Sequence, residues 1–413
     1  MKTEIITAAM SRRQFLGGAF AAAAVTSLPV LAADEPAVAP VPAQQYTRKI
    51  KLGVVGNGGR GSWIAKLFHE HGGYDLWAVA DYFQEEADKC GAALGVDSSR
   101  RFSTLSGFKR LIESGVEAVA VETPPYFIPE QVTAAVDAGL HVYMAKPVAS
   151  DVPGALRVLA AGQLATRKSL CFIVDYQLPT DPANIEAASR IRQGALGRLA
   201  QVVSYGFCGG QSDPPRTANL ESRLRHLIWV NDVVLGCDYI GNFDIHAIDA
   251  ALWTLGRRPV SASGASGVYR PSPHGDARDI CSVVYEYADG VVHEHIGQAL
   301  HNNAESDLRA TFIGTEAVAQ LNYDGKVFIR GGPMHYSGIC SDNYTAGARR
   351  NIARFYREIT EGRAENETCQ RAVDGVLTCI LGYEAAARRE RLTMDQVLKE
   401  NKSLPIDLAG LRT

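Results

Sequence analysis

Two hydrophobic rhythms divide the chain. In the first, short apolar runs alternate with segments whose apolar residues recur three and four apart. The runs are Lys51-Leu52-Gly53-Val54-Val55, Leu76-Trp77-Ala78-Val79-Ala80, Ala118-Val119-Ala120-Val121, His141-Val142-Tyr143-Met144 and Cys171-Phe172-Ile173-Val174. Between them, residues 63–68, 105–114 and 129–138 read as helices, the last stopped by Gly139. Regular strand–helix alternation predicts a parallel sheet with helices on both faces. The second rhythm follows a helix predicted over 181–193. Residues 199–206 read as a strand, and 280–287, 291–296, 310–314 and 317–321 follow as strands with well-kept alternation. Asn351–Thr360 and Ala372–Arg388 close the chain as amphipathic helices.

Composition removes some partners. The 413 residues include 42 basic and 45 acidic side chains, a formal net charge of −3. That balance gives no footprint for nucleic acid or an anionic membrane. The length suggests two domains and a core that needs no staples. Eight cysteines stand singly, without the C-x-x-C spacing of a zinc knuckle or redox dithiol. A disulfide between distant ones stays open.

Ahead of the first strand, Ser11-Arg12-Arg13-Gln14-Phe15-Leu16 leads into a mildly apolar run ending at Leu31, with small residues at Ala32 and Ala33. This order predicts a twin-arginine signal peptide over 1–33. It implies periplasmic or other extracytoplasmic location, and no stable membrane insertion after processing. A retained anchor is the alternative. Residues 34–47, rich in Pro and Ala, read as an extended arm.

Chemistry enters at the first strand end. Gly56-Asn57-Gly58-Gly59-Arg60-Gly61 places G-x-G-x-x-G between a strand and a helix, the setting of a dinucleotide loop. Gly56 allows the tight turn, Gly58 lets the backbone approach the pyrophosphate, and Gly61 lets helix and strand pack closely. Asp81 ends the second strand about twenty residues on, where the acid for the ribose hydroxyls belongs. It would repel a 2′-phosphate, and Tyr82-Phe83 bring no arginine to bind one, so NAD is favoured over NADP. Thr123-Pro124 and Lys146-Pro147 close later strands, at the carboxyl ends where functional groups gather. Lys146 is placed to touch the nicotinamide ribose and a substrate hydroxyl, and partial desolvation suits it to proton relay.

With the glycine loop, Thr123-Pro124, Ala138-Gly139-Leu140-His141-Val142-Tyr143, Lys146-Pro147 and Gly241-Asn242-Phe243-Asp244-Ile245-His246-Ala247-Ile248-Asp249 in order, residues 48–411 resemble the Gfo/Idh/MocA oxidoreductases. The resemblance implies an α/β chain: an NAD-binding, doubly wound Rossmann domain over 48–175, then a substrate and oligomerisation domain over 176–413. The second domain would carry an open mixed, mainly antiparallel sheet, its C-terminal helices free to pack back on the first, in a homo-oligomer (dimer or tetramer). Three positions depart from the family pattern. Its Glu-Lys-Pro reads Ala145-Lys146-Pro147, its Thr-Pro-Asn-x-x-His reads Thr123-Pro124-Pro125-Tyr126-Phe127-Ile128, and the acid four residues before the histidine is Asn242.

The remaining candidates lie in the second half. Tyr176 and Gln177 follow the last apolar run and offer a hydroxyl and an amide to a sugar; a buried tyrosine with one hydrogen bond is the equal alternative. The irregular stretch 211–232 reads as a binding loop or an oligomer contact, with Arg225, His226, Trp229 and Asn231 suited to a polar substrate. His246 opens a helix, with Asp249 three residues on along the same face, a pairing suited to taking a proton from a secondary alcohol. His293 and His295 share a strand face, but no further ligand cluster accompanies them and no metal is expected. The expectation is an NAD-dependent oxidoreductase acting on a sugar, polyol or glycoside with tightly bound cofactor. His246 is its acid/base, Lys146 orients the oxygen, and Tyr176 is a weaker catalytic partner. Gln177, Arg225, Trp229, Asn242 and Asp249 are the substrate-side candidates. A redox-neutral NAD-dependent glycosidase is the first alternative, and a binding protein with a vestigial site the second.

Overall fold

The computed structural model describes Tyr46, residues 48–217 and residues 219–413. The arginine pair, the apolar run after it and nearly all of the Pro/Ala-rich arm lie outside the described residues.

The first rhythm folds as β1 (Ile50–Val55), α1 (Gly59–His71), β2 (Tyr74–Asp81), α2 (Gln84–Ala93), β3 (Arg101–Ser103), α3 (Gly107–Ile112), β4 (Ala118–Val121), α4 (Ile128–Asp137), β5 (His141–Met144), α5 (Val152–Arg167) and β6 (Phe172–Val174). The strands form one parallel sheet in the order β3-β2-β1-β4-β5-β6. β4 and β6 are buried along their whole length, which explains apolar runs without alternation. The order reverses between β1 and β4, and the crevice beyond their carboxyl ends is where such sheets bind ligands.

The second rhythm gives α6 (Pro182–Arg192), β7 (Leu199–Cys208), α7 (Val233–Gly236), α8 (Ile245–Leu255), β8 (Ser261–Gly267), β9 (Ile280–Glu286), β10 (Val292–Ala299), β11 (Asp307–Gly314), β12 (Ala317–Asn322), β13 (Gly325–Gly331) and β14 (Tyr336–Cys340). After them come α9 (Asn343–Glu361), α10 (Glu367–Arg388), β15 (Leu392–Thr393) and α11 (Met394–Glu400). The sheet runs β14-β13-β12-β11-β7-β10-β9-β8-β15. β7 and β10 pair parallel, the other described pairs antiparallel. Buried and half-exposed residues alternate along β10 and β12, so one face packs on helices and the other stays open.

The last long helices return to the first sheet. Ile352, Phe355 and Ile359 of α9 share a core with Ile64 and Phe68 of α1, while Cys369, Ala372 and Val376 of α10 join the opposite face with α5. All eight cysteines are free thiols. Among the described residues, no helix is long and apolar enough to cross a membrane.

Candidate active site

The glycine loop is shaped by contacts only glycine permits. Gly56 sits at φ +87°, and a Cβ there would stand 2.7 Å from the Glu122 carbonyl oxygen. At Gly61 a Cβ would stand 1.7 Å from the Gly56 carbonyl oxygen, so α1 lies directly on the loop. At Gly58 and Gly59 it would meet nothing within 4 Å. Those two face a cleft of about 800 Å³ that runs past Asp81, Thr123, Pro124 and Trp229.

Asn57 serves the loop rather than the cleft. Its backbone N–H donates to Asp81 Oδ2 at 2.6 Å, and its side-chain amide turns back to the Val54 carbonyl at 3.5 Å. Phe83 N–H donates to Asp81 Oδ1 at 2.9 Å. Burial raises the Asp81 carboxyl, and these two N–H groups oppose the rise. Thr123 Oγ1 donates to Gln131 Oε1 at 2.6 Å, fixing the fourth strand end.

Contrary to expectation, arginines do stand beside Tyr82-Phe83. The fold carries Arg225 over the Phe83 ring at 3.9 Å, bonded to Glu85 at 2.9 Å, and Arg412 over the Tyr82 ring at 5.0 Å. Arg225 therefore belongs to the Asp81 end of the cleft and not to the neighbourhood of His246. His226 lines the same cleft. Asn231 is buried, its amide shared between the Ser212 and Ile228 carbonyls and the Tyr239 hydroxyl.

Arg60 also departs from expectation. It borders the cleft, but its guanidinium donates to Glu122 Oε2 at 3.0 Å, Asp175 Oδ2 at 2.5 Å and the Tyr344 hydroxyl at 3.0 Å. Glu122 and Asp175 have fully buried side chains. Burial pushes the Glu122 carboxyl up to about 7 despite Arg60. Each acid directly follows an apolar strand, Ala-Val-Ala-Val-Glu and Phe-Ile-Val-Asp; an acid at that position is the signal in the sequence, and neither is among the candidates named above.

Lys146 follows β5 of the first sheet, and His246 lies on α8 in the second half of the chain. The Lys146 ammonium donates to the Asn242 carbonyl oxygen at 2.5 Å, above the Phe243 ring at 5.9 Å. Burial, then the Arg60 charge, lowers its pKa to about 7. Asn242 and Phe243 lie in a π-helical turn, Ile240–Asp244, that runs directly into α8. Such turns are rare and cluster at functional sites. His246, in the first turn of α8, is buried, and Nδ1 has no hydrogen-bond partner. Burial holds its pKa well below the usual value, with Lys146 and Arg60 adding to the effect, so the imidazole is neutral.

Three further candidates are spent elsewhere. Asp249 does not pair with His246: its carboxylate accepts from Arg371 Nε at 2.8 Å, and burial raises it to about 6. Gln177 is buried, its amide donating to Asp175 Oδ2 at 2.6 Å and accepting from the Tyr323 hydroxyl at 2.9 Å. The Asn242 amide turns to the Gly236 carbonyl at 3.4 Å, so its backbone and not its side chain meets Lys146. Tyr176 is buried behind His246, ring centroids 6.4 Å apart, its hydroxyl without a partner. The burial matches the structural alternative, but the single hydrogen bond that alternative expected is absent.

A second buried network lies under α8. Asp244 Oδ2 meets His295 Nε2 at 3.1 Å, His295 Nδ1 meets Ser204 Oγ at 2.8 Å, and the same oxygen meets His293 Nε2 at 2.7 Å. Gly206 and Gly297, partners on β7 and β10, make the notch for the acid; a Cβ at either would stand 2.2 or 2.0 Å from an Asp244 carboxylate atom. His295 thus does have company: its ligand atom and those of Asp244 and Cys281 lie within 4.8 Å of one another.

Comparison with known proteins follows the same division. The profile described as "Oxidoreductase family, NAD-binding Rossmann fold" matches residues 50–176, and that of the GFO/IDH/MocA C-terminal domain matches 185–320. Inositol 2-dehydrogenase 4 of Saccharopolyspora erythraea is 32% identical over 152 residues, 37% of this chain and 43% of that protein. Inositol 2-dehydrogenase of Rhizobium meliloti is 24% identical over 284 residues, 68% of this chain and 73% of that one. The chain covers 43%, 50% and 59% of three of the curated relatives it matches. Among solved structures, levoglucosan dehydrogenase with NADH and levoglucosan has the same fold, with TM-score 0.69, 17% identity and coverage of 84% of this chain and 100% of that one. Aldose-aldose oxidoreductase of Caulobacter crescentus gives TM-score 0.67, 20% identity and coverage of 84% and 100%.

Proposed function

The chain belongs to the GFO/IDH/MocA oxidoreductase family, and from that premise we propose that it oxidises a secondary alcohol of a sugar, polyol or glycoside by hydride transfer to tightly bound NAD. One observation carries the reading. Lys146, from the end of the first sheet, bonds the turn that leads into His246, close enough for its charge to act on the imidazole.

The residues present fit a dinucleotide. The open faces of Gly58 and Gly59, with the α1 N-terminus, would hold the pyrophosphate. Asp81 would take the ribose hydroxyls, and Thr123 and Pro124 would flank the nicotinamide half. Bound there, the nicotinamide ring supplies the hydride acceptor. The neutral His246 takes the hydroxyl proton, and the Lys146 ammonium orients and polarises the oxygen. The Asp81 carboxylate, facing the cleft, disfavours a 2′-phosphate, while Arg225 at the same end is already paired with Glu85.

The arginine pair and the apolar run after it support export by the twin-arginine route, to the periplasm or beyond. That route carries folded proteins, so NAD would travel already bound. Half-exposed Val203, Tyr205, Ile296, Ile313 and Phe328 on the open sheet face support a homo-oligomer that covers them.

The test is to incubate the purified protein, without added cofactor, with sugars, polyols and glycosides, following bound nicotinamide absorbance and products. Reduction of bound NAD with appearance of a keto product is expected. Aglycone release without net oxidation would replace the reading with redox-neutral glycoside cleavage. Ligand binding with no chemistry on any compound would leave a binding protein. NADP released on denaturation would contradict the cofactor choice.

A further inference from the structure

We propose that the segment after α11 is a wall of the cofactor cleft: Leu408 packs on the adenine of NAD, and residues 404–412 form a strap that slows its release. This deepens the cofactor reading given above and rests on it.

Sheet order fixes the adenosine end. β2 ends in Asp81, set for the ribose hydroxyls, and β3 is the next strand away from the crevice between β1 and β4. Leu105 and Phe108, which line the cleft just after β3, therefore stand on the base side. Leu224 and Leu227 from the irregular stretch line the same cleft, and so does Leu408. Apolar walls of this kind suit a flat aromatic base.

The segment crosses the carboxyl edge of the first sheet. At one end Leu404 N–H donates to Asp151 Oδ2 at 2.9 Å, and Asp151 caps α5, the helix after β5. At the other, Leu105 N–H donates to the Arg412 carbonyl at 3.0 Å, and Arg412 N–H to the Tyr82 hydroxyl at 3.2 Å. Passing from β5 to β3 means crossing β4, β1 and β2, about 19 Å at the usual strand spacing. Residues 404–412 reach about 26 Å when fully extended, so the segment has little slack. Residues 402–408 form no helix or strand.

The two outer walls are held differently. The irregular stretch is rooted by the fully buried Arg223, which donates to Asp232 at 2.6 Å, Asp213 at 2.8 Å and the Pro214 carbonyl at 2.9 Å. The segment after α11 is latched to that stretch by exposed contacts. Arg412 meets Glu221 at 3.4 Å, and Asn219 Nδ2 donates to the Gly410 carbonyl at 3.5 Å. Exposed bonds of this kind break at little cost. The strap is therefore the wall that opens, and a base under Leu408 ties it down.

The first test needs no variant. Hydrogen exchange of the full-length, NAD-free protein is followed by peptide mass spectrometry, alone and with saturating NAD or ADP-ribose. Exchange in residues 404–412 should slow about tenfold with either ligand. Leu408→Ala should weaken ADP-ribose binding about tenfold, the loss of roughly two buried methyl groups. Ile406→Ala, half-exposed in the same segment but outside the cleft lining, should leave that affinity unchanged. Arg412→Ala removes the Glu221 contact without touching the lining, and should speed NAD release several-fold in stopped flow. Unslowed exchange under ADP-ribose overturns the proposal, as does equal affinity in Leu408→Ala or an equal loss in Ile406→Ala. The exchange measurement stands even if the variants fold poorly. A wild-type protein that binds neither NAD nor ADP-ribose would instead overturn the cofactor reading, so the two failures are separable.

Discussion

Two alanine substitutions in the glycine loop should fail in different ways. At Gly61 the new Cβ would lie 1.7 Å from the Gly56 carbonyl oxygen and 2.8 Å from its carbon, both backbone atoms of the tightest turn. A carbon and a carbonyl oxygen need about 3.3 Å, so roughly 1.5 Å must be opened between α1 and the loop. Overpacking of this kind costs about 1–3 kcal/mol. Here no flexible side chain can yield, which points to the upper end. Helix propensity returns at most about 1 kcal/mol, since alanine replaces glycine in the first turn of α1. The melting temperature should fall by several degrees, and copurified NAD should be lost because the loop itself moves. At Gly58, φ −64° and ψ −166° suit alanine, and no protein atom lies within 4 Å of the new Cβ. Gly58→Ala should therefore melt within about 1 kcal/mol of wild type, yet bind NAD weakly, because the methyl enters the pyrophosphate approach. The assays are thermal melts of the NAD-free proteins and titration with NAD. A Gly61→Ala protein with wild-type melting temperature and NAD affinity would refute the packing argument. Unimpaired NAD binding by Gly58→Ala would refute the placement of the pyrophosphate.

His246→Ala should lose about a hundredfold or more in turnover while still copurifying with NAD, and its combination with Lys146→Ala should be non-additive, as single-turnover kinetics on the active sugar would show. The buried His293 has its folded pKa pushed down to about 3, below the ordinary value of 6.5. Its contribution is therefore full above about pH 6.5 and shrinks as pH falls toward about 3, because only the unfolded chain binds the proton. His293→Gln should flatten that acid limb in urea melts at successive pH values; an unchanged limb would assign it to other groups. Arg12→Lys with Arg13→Lys should hold the protein in the cytoplasm, and unchanged periplasmic yield in fractionated cells would reject the export assignment.

The sequence by itself determined the architecture and the identity of the glycine loop. Both are written in short-range patterns: continuous apolar runs for strands buried on two faces, alternation for strands with one open face, and glycines between a strand and a helix. It also singled out Lys146 and His246 as residues, because each sits in an ordered local motif. What it could not supply was partners. Asp249 lies three residues from His246, yet it pairs with Arg371 on α10. Gln177 and Arg60 carry groups suited to ligands, yet Asp175 draws both inward. Arg225 and Arg412 reach the Asp81 end of the cleft from distant parts of the chain. Glu122 and Asp175 meet one arginine, Arg60, only because parallel register aligns strand ends that helices keep far apart in sequence. Periodicity tells which face a side chain takes; only the packed sheet decides which charges share that face, as Arg60, Glu122 and Asp175 do.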